Sequence, residues 1–275
     1  MKLNHIGSVV FGVGLAALIT ILIFRHHIDY EKHKKVENNL HHFSSLNAVI
    51  NQDLVLVFHG LLENYDSIWK NINTLQEILT NLRDEEKAYR DKHAQNDIKQ
   101  AIETLNTTLA SKEATIELFK ANNAILKNSV TYCPSAMMQL NKILEKEQFP
   151  LLLKTMQQLL QNILIFSRPG QHYFIASEIN ILTKRLQQLN RDIPKSHQNQ
   201  ITNILQHIRV IVEHKKEVEQ LLITAVDSPI EHNTRELSST FNTYIEQQIY
   251  QIEKLRLFLY FCIMGLISLY NCYSY

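Results

Sequence analysis

Between Phe24 and Leu257 the chain carries only two glycines, Gly60 and Gly170; the other four, Gly7, Gly12, Gly14 and Gly265, lie in apolar segments at its two ends. Phosphate-cradling loops, nucleophile elbows and tight hairpins need glycine where φ is positive or where backbone must approach a ligand closely. Nucleotide-binding and β-rich folds are therefore disfavoured for the body of the protein. Helices need few such turns, and they are what the remaining pattern describes.

Apolar residues recur at helical spacing through Leu54, Phe58, Leu61, Leu62, Tyr65, Ile68, Trp69, Ile72, Leu75, Leu79 and Leu82, which trace one face over several turns. A second run passes through Ile98, Ile102, Leu105, Leu109, Ile116, Phe119 and Leu126. Others cover 137–144, 151–166, 174–189, 201–226 and 237–257. The prolines Pro134, Pro150, Pro169, Pro194 and Pro229 each read as a place where a helix starts or stops, so about seven antiparallel helices are expected. Arg168-Pro169-Gly170 is the clearest breaker. The expected fold is all-α: two tandem antiparallel helical bundles, 26–168 and 169–255, with short connections, flanked by transmembrane helices at 1–25 and 256–275. A single elongated bundle is the alternative.

The membrane expectation rests on the two ends. Ile6 to Phe24 holds no charge and approaches the length needed to cross a hydrocarbon core of about 30 Å. Arg25-His26-His27 follows where a cleaved signal would place small residues, so this is read as an uncleaved anchor. Leu257 to Tyr270 is a shorter, aromatic-rich run read as a second span. From Glu231 to Arg256 there is no proline or glycine, so one helix is expected to run from the body into that span. The small-residue series Ser8, Gly12, Ala16 suggests a homodimer through the first span. Arg25, Lys32, Lys34, Lys35, Lys254 and Arg256 flank the spans on their inner sides, which by the positive-inside rule favours a cytoplasmic body, a rule that long translocated domains weaken.

The formal net charge of +1 gives no field to steer the chain onto nucleic acid. No serine, histidine and acid constellation sits on a glycine turn. Glu231-His232-Asn233-Thr234-Arg235-Glu236-Leu237 has only a superficial likeness to a phosphoacceptor helix, and no ATP-binding glycine boxes follow it. The chain reads as a non-enzyme without a cofactor. His26-His27 and His41-His42 are adjacent pairs that diverge on a helix, and His207 and His214, seven residues apart on one face, are too distant to share an ion, so no metal site is expected. Cys133 stands alone in the body, since Cys262 and Cys272 belong to the C-terminal apolar run.

Two stretches put polar groups into otherwise core-forming helices. Asp53 to Asp66 includes Gly60, read as a mid-helix glycine that leaves space for close packing or for a ligand. Phe119 to Pro134 is rich in asparagine. These groups either bind a small polar ligand between helices or satisfy one another and cap helix ends.

GLLENYDSIW (60–69), FKANNAILKNSVTYCP (119–134), VDSPI (226–230) and LRLFLYF (255–261) resemble, in order, the signature stretches of the double all-helical ligand-binding (DAHL) sensor domain of bacterial signal-transduction proteins. The resemblance spans nearly the whole chain. It implies two helical bundles on the periplasmic side of a bacterial inner membrane, sensing a small molecule of unknown identity and signalling to a cytoplasmic kinase or cyclase. The ligand-binding residues it implies are Asn64, Tyr65, Asp66, Asn122, Asn128, Ser129 and Tyr132. One position departs: Phe58 stands two residues before Gly60 where arginine is expected, which tells against an anion-binding role. With no output domain up to Tyr275, the expectation is an orphaned or truncated sensor working through a separate kinase or cyclase. The competing class is a non-enzymatic helical scaffold or interaction protein anchored in the membrane.

Overall fold

The computed structural model of the chain describes Gly12 and residues 30–87, 92–168 and 173–274. These form helices α1 (Tyr30–Phe58), α2 (Asp66–Glu86), α3 (Lys92–Lys146), α4 (Pro150–Phe166), α5 (Tyr173–Leu189), α6 (Lys195–Val226) and α7 (Ile230–Ser274), with a short 3-10 turn at Asn190–Asp192. The described residues are all-α, with no strand among them.

Burial along the long helices advances by alternating steps of four and three residues. On α1 the sequence is Val36, Leu40, Phe43, Asn47, Ile50, Leu54 and Val57, and on α3 it runs from Ile98, Ile102, Leu105 and Leu109 through Lys112, Ile116, Phe119, Asn123 and Leu126. This heptad spacing keeps one seam turned toward neighbouring helices. Most seam residues are aliphatic or aromatic, and each contributes about 1.5–3 kcal/mol by leaving water. Asn47, Lys112, Asn123, Lys215 and Thr234 are polar exceptions within it, and buried polar groups of this kind must find partners.

The helix expected to run unbroken from Leu54 to Leu82 is two helices, because Gly60 ends the first. Its φ is +73°; its N–H donates to the Val57 carbonyl at 3.1 Å and that of Leu61 to the Leu56 carbonyl at 2.9 Å. This is the paired bonding of a Schellman C-cap, in which glycine supplies the left-handed residue. Gly60 is thus a stop signal, not a mid-helix spacer. A Cβ built there meets nothing within 4 Å, so Gly60→Ala is expected to cost about 1–2 kcal/mol from the backbone conformation alone, and Gly60→Asn less. Denaturant midpoints for the two variants check this; equal midpoints with the parent would refute the capping role.

Proline placement also differs from expectation at one position. Pro150 is in the first turn of α4, Pro194 is the N-cap of α6, and the Pro229 carbonyl accepts the Asn233 N–H at 3.0 Å at the start of α7. Pro134, however, lies inside α3. An interior proline costs about 3 kcal/mol, and here the helix continues because Leu126, Cys133, Met137, Leu140 and Leu144 are buried on both sides of it. Burial also pushes the Cys133 thiol up to about 12.

The helices cluster into two compact units, but not as consecutive halves. The first comprises Met1–Asn47, Asn73–Thr107 and Pro229–Tyr275; the second comprises Ala48–Ile72 and Thr108–Ser228. Of the boundary read at Arg168-Pro169-Gly170, Arg168 belongs to the second unit, and Pro169 and Gly170 lie outside the described residues. Helices α1, α2 and α3 each contribute to both units, since a helix need not break where its packing partners change. In the first unit, Lys35 near the start of α1 pairs at 2.8 Å with Glu85 near the end of α2, the register of antiparallel neighbours.

The first expected membrane span lies outside the described residues apart from Gly12. The second forms the end of α7, where Leu257, Phe258, Tyr260, Phe261 and Met264 are exposed. Among the described residues no helix is long and apolar enough to cross a membrane.

Candidate functional site

Asn123 is the polar residue around which the second unit's site is organised. It occupies a seam position on α3 with 3 % exposure, and its Nδ2 donates to Tyr65 Oη at 3.1 Å. Tyr65 lies just before α2, where its carbonyl accepts the Trp69 N–H at 3.0 Å. Its ring meets Phe119 edge-on with centroids 6.3 Å apart. Burial raises the Tyr65 phenol, and the Asn123 bond partly offsets that rise. Lys120 Nζ lies 5.9 Å from the Tyr65 ring and 5.5 Å from the Trp69 ring, a cation–π contact with both.

Lys215, on α6, is the second buried polar group, at 5 % exposure. Its ammonium donates to the carbonyl of Phe166 and, at 2.8 Å, to that of Arg168, and it sits 4.6 Å from the Phe166 ring. Phe166 is the last residue of α4 and Arg168 lies two residues past it, at the helix end where backbone acceptors lack intrahelical donors and the helix dipole favours a cation. Desolvation lowers the Lys215 pKa, with Glu219 at 3.6 Å acting in the opposite direction.

Between these groups lies a cavity of about 190 Å³, lined by Phe58, His59, Gly60, Asn123, Leu126, Lys127, Val130, Ser167, Ile211 and Lys215. Asn123, Leu126, Ile211 and Lys215 are buried, whereas His59 and Gly60 are exposed, so the mouth lies at the end of α1. Larger hollows occur along α5 and α6 and, in the first unit, along α3 and α7, but mostly exposed polar side chains such as Lys184, Arg209, Asp97 and Glu236 form their walls. Of these three hollows, the smaller cavity combines buried apolar walls with convergent polar groups, the usual composition of a ligand site.

The residues implied by the resemblance fall into three groups, and none is among the residues lining the cavity. Tyr65 reaches its wall through Asn123. Asn64, Asp66 and Asn128 are exposed. Asn122, Ser129 and Tyr132 instead meet α6: Asn122 Oδ1 is 2.9 Å from His214 Nδ1, Ser129 Oγ is 3.1 Å from His207 Nδ1, and the Tyr132 and His207 rings are 4.3 Å apart. The seven-residue spacing of the asparagine and serine on α3 matches that of the histidines on α6, so the two histidines serve as partners for a polar ladder.

Sequence reasoning counted Asn123 among the asparagines of 119–134 but passed over Lys127, Ser167 and Lys215. The available signal was a lysine standing between Ile211 and Val218 in an otherwise apolar heptad seam, a position that usually carries a specific role.

A family model, the DAHL domain, matches residues 28–256 of the chain. No curated protein and no solved structure matches it.

Proposed function

The chain belongs to the DAHL domain family, helical sensor domains of signalling proteins, and from that premise we propose that it is a membrane-anchored periplasmic receptor module whose second unit binds a small molecule. The observation that carries this reading is the cavity at the end of α1, walled by residues of both polar stretches, His59 and Gly60 of 53–66 beside Asn123, Lys127 and Val130 of 119–134. A bundle serving only as a spacer has no need to keep such a space open or to place buried polar groups around it.

The output route is the chain itself. Helix α6 ends at Val226, whose carbonyl accepts from Asn51 Nδ2 at 3.3 Å, and after a short turn α7 runs without interruption to Ser274. Its exposed apolar residues from Leu257 to Met264 suit a lipid environment, and their continuity with the body supports transmission to a cytoplasmic kinase or cyclase by helix displacement. Homodimerisation through the first apolar segment belongs to the same reading.

A thermal-shift screen of the full chain against metabolites tests it, since a ligand that binds only the folded state raises the melting temperature. Hits should disappear in Val130→Trp, whose indole fills the cavity. A broad library yielding no hit sensitive to that substitution would favour the scaffold instead. For localisation, a reporter enzyme active only in the periplasm, inserted in the body, is expected to be active; an inactive fusion of normal abundance would place the body in the cytoplasm.

A further inference from the structure

The sensor reading leaves the ligand's chemistry open, and the inference that follows rests on that reading. Lys127 and Lys215 both line the cavity, and its lining residues include no aspartate or glutamate. Lys127 makes no hydrogen bond or ion pair among the described residues. Lys215 directs its ammonium at the Phe166 and Arg168 carbonyls, and its nearest carboxylate, Glu219, is 3.6 Å away and partly exposed. Lys215 is thus an occupied cation, paired with Glu219 as buried charges ordinarily are, whereas Lys127 has no such partner among the described residues.

Several of the other polar groups in the wall are already engaged. Ser167 Oγ donates to the Ile163 carbonyl at 2.7 Å, Asn123 Nδ2 to Tyr65 Oη, and the Gly60 N–H to the Val57 carbonyl. What remains in the wall is the Lys127 ammonium, whose protons call for an acceptor bearing negative charge. A cationic ligand would meet like charge, and a neutral one would leave the lysines as they are. Phe58, Leu126, Val130 and Ile211 make the rest of the wall apolar. The space, about 190 Å³, equals the liquid volume of roughly six waters. An arginine at position 58 is therefore not needed for a basic cavity, because α3 and α6 supply its cations.

We propose that the cavity binds a small organic monoanion, a short-chain carboxylate whose head group is held by Lys127 with Lys215 behind it and whose apolar body lies against Leu126, Val130 and Ile211.

The test is calorimetric titration of the full chain in lipid nanodiscs with straight and branched monocarboxylates from acetate to hexanoate, each beside its amide and its amine. The best carboxylate is expected to bind at least tenfold more tightly than its amide, with no binding of the amine. Lys127→Met should weaken it tenfold or more, Lys127→Arg should retain affinity within a few-fold, and Val130→Trp should abolish it. Because Lys127 is half-buried and makes no bond, its substitution spares the fold; Lys215→Met removes the α4 cap and is the less secure variant. Amides or amines that bind as well as the acids, and are blocked by Val130→Trp, would overturn the anion assignment while leaving the sensor reading intact. A carboxylate series without binding that Val130→Trp blocks would also overturn it, and the sensor reading falls as well only if the broad metabolite screen is equally empty.

Discussion

Phe119→Ala is expected to destabilise the protein by about 3–5 kcal/mol, the range for deleting a fully buried phenylalanine ring. Phe119 has 0 % exposure, and Tyr65 packs edge-on against it, so the cavity left behind is adjacent to the bond that Asn123 makes to Tyr65. Phe43→Ala provides the comparison: it is also fully buried but belongs to the first unit. Both should lower the denaturant midpoint by similar amounts. Only Phe119→Ala should also weaken ligand binding to the folded protein, because it frees the Tyr65 ring next to the cavity wall. A loss below about 1 kcal/mol, outside this range, would show that Phe119 is not packed as described, and equal affinities in the two variants would detach Tyr65 from the site.

The second large effect concerns pH. Lys112 has 2 % exposure and donates to Asn51 Oδ1 at 2.5 Å. Burial lowers its pKa from 10.5 to about 8, which corresponds to about 3 kcal/mol against the charged form. With the folded-state value depressed, the unfolded chain holds the extra proton between pH 8 and 10.5, and stability from this group rises with pH across that window. The penalty is fully present below pH 8. Replacing a buried charge by an apolar side chain of similar shape is often neutral or stabilising, so Lys112→Met should match or exceed the parent at pH 7. Its advantage should then shrink by about 3 kcal/mol by pH 10.5. Tyr65 and Cys133, both raised by burial, lose stability as pH climbs past their unfolded values. They do so in both proteins, so the difference between unfolding curves isolates Lys112. Parallel stability profiles from pH 7 to 10.5 would remove Lys112 from this account.

How much of the site could be read beforehand is clearest at Asn122 and Asn123. The polar stretch 119–134 was recognisable, and it does supply Asn123, Lys127 and Val130 to the cavity. Adjacent residues on a helix nevertheless point about 100° apart, and which of two asparagines faces inward depends on where the other helices lie. Here Asn123 points into the seam, while Asn122 turns toward His214. Lys215 was less legible still. Its role depends on the end of α4 arriving beside it, and that end lies 47 to 49 residues away along the chain.

Gly60 and Pro134 teach the complementary lesson. Both are local signals, and their outcomes differ because tertiary packing weighs them differently. Gly60 adopts a positive φ and stops a helix, whereas Pro134 is carried through one by the buried residues around it. Propensity sets the cost of each choice, and packing can exceed that cost.

The sequence by itself determined that the body is helical, because the period of its apolar residues and its shortage of glycine are local properties that also set backbone bonding within each segment. It also determined membership of the family, whose model matches residues 28–256. Only the tertiary structure decided that α1, α2 and α3 each serve two units, that Lys127 and Lys215 meet Asn123 at one cavity, and that the histidines of α6 satisfy polar groups of α3. Those facts depend on which distant helices pack together to bury their seams, a choice made by the whole set of apolar faces at once.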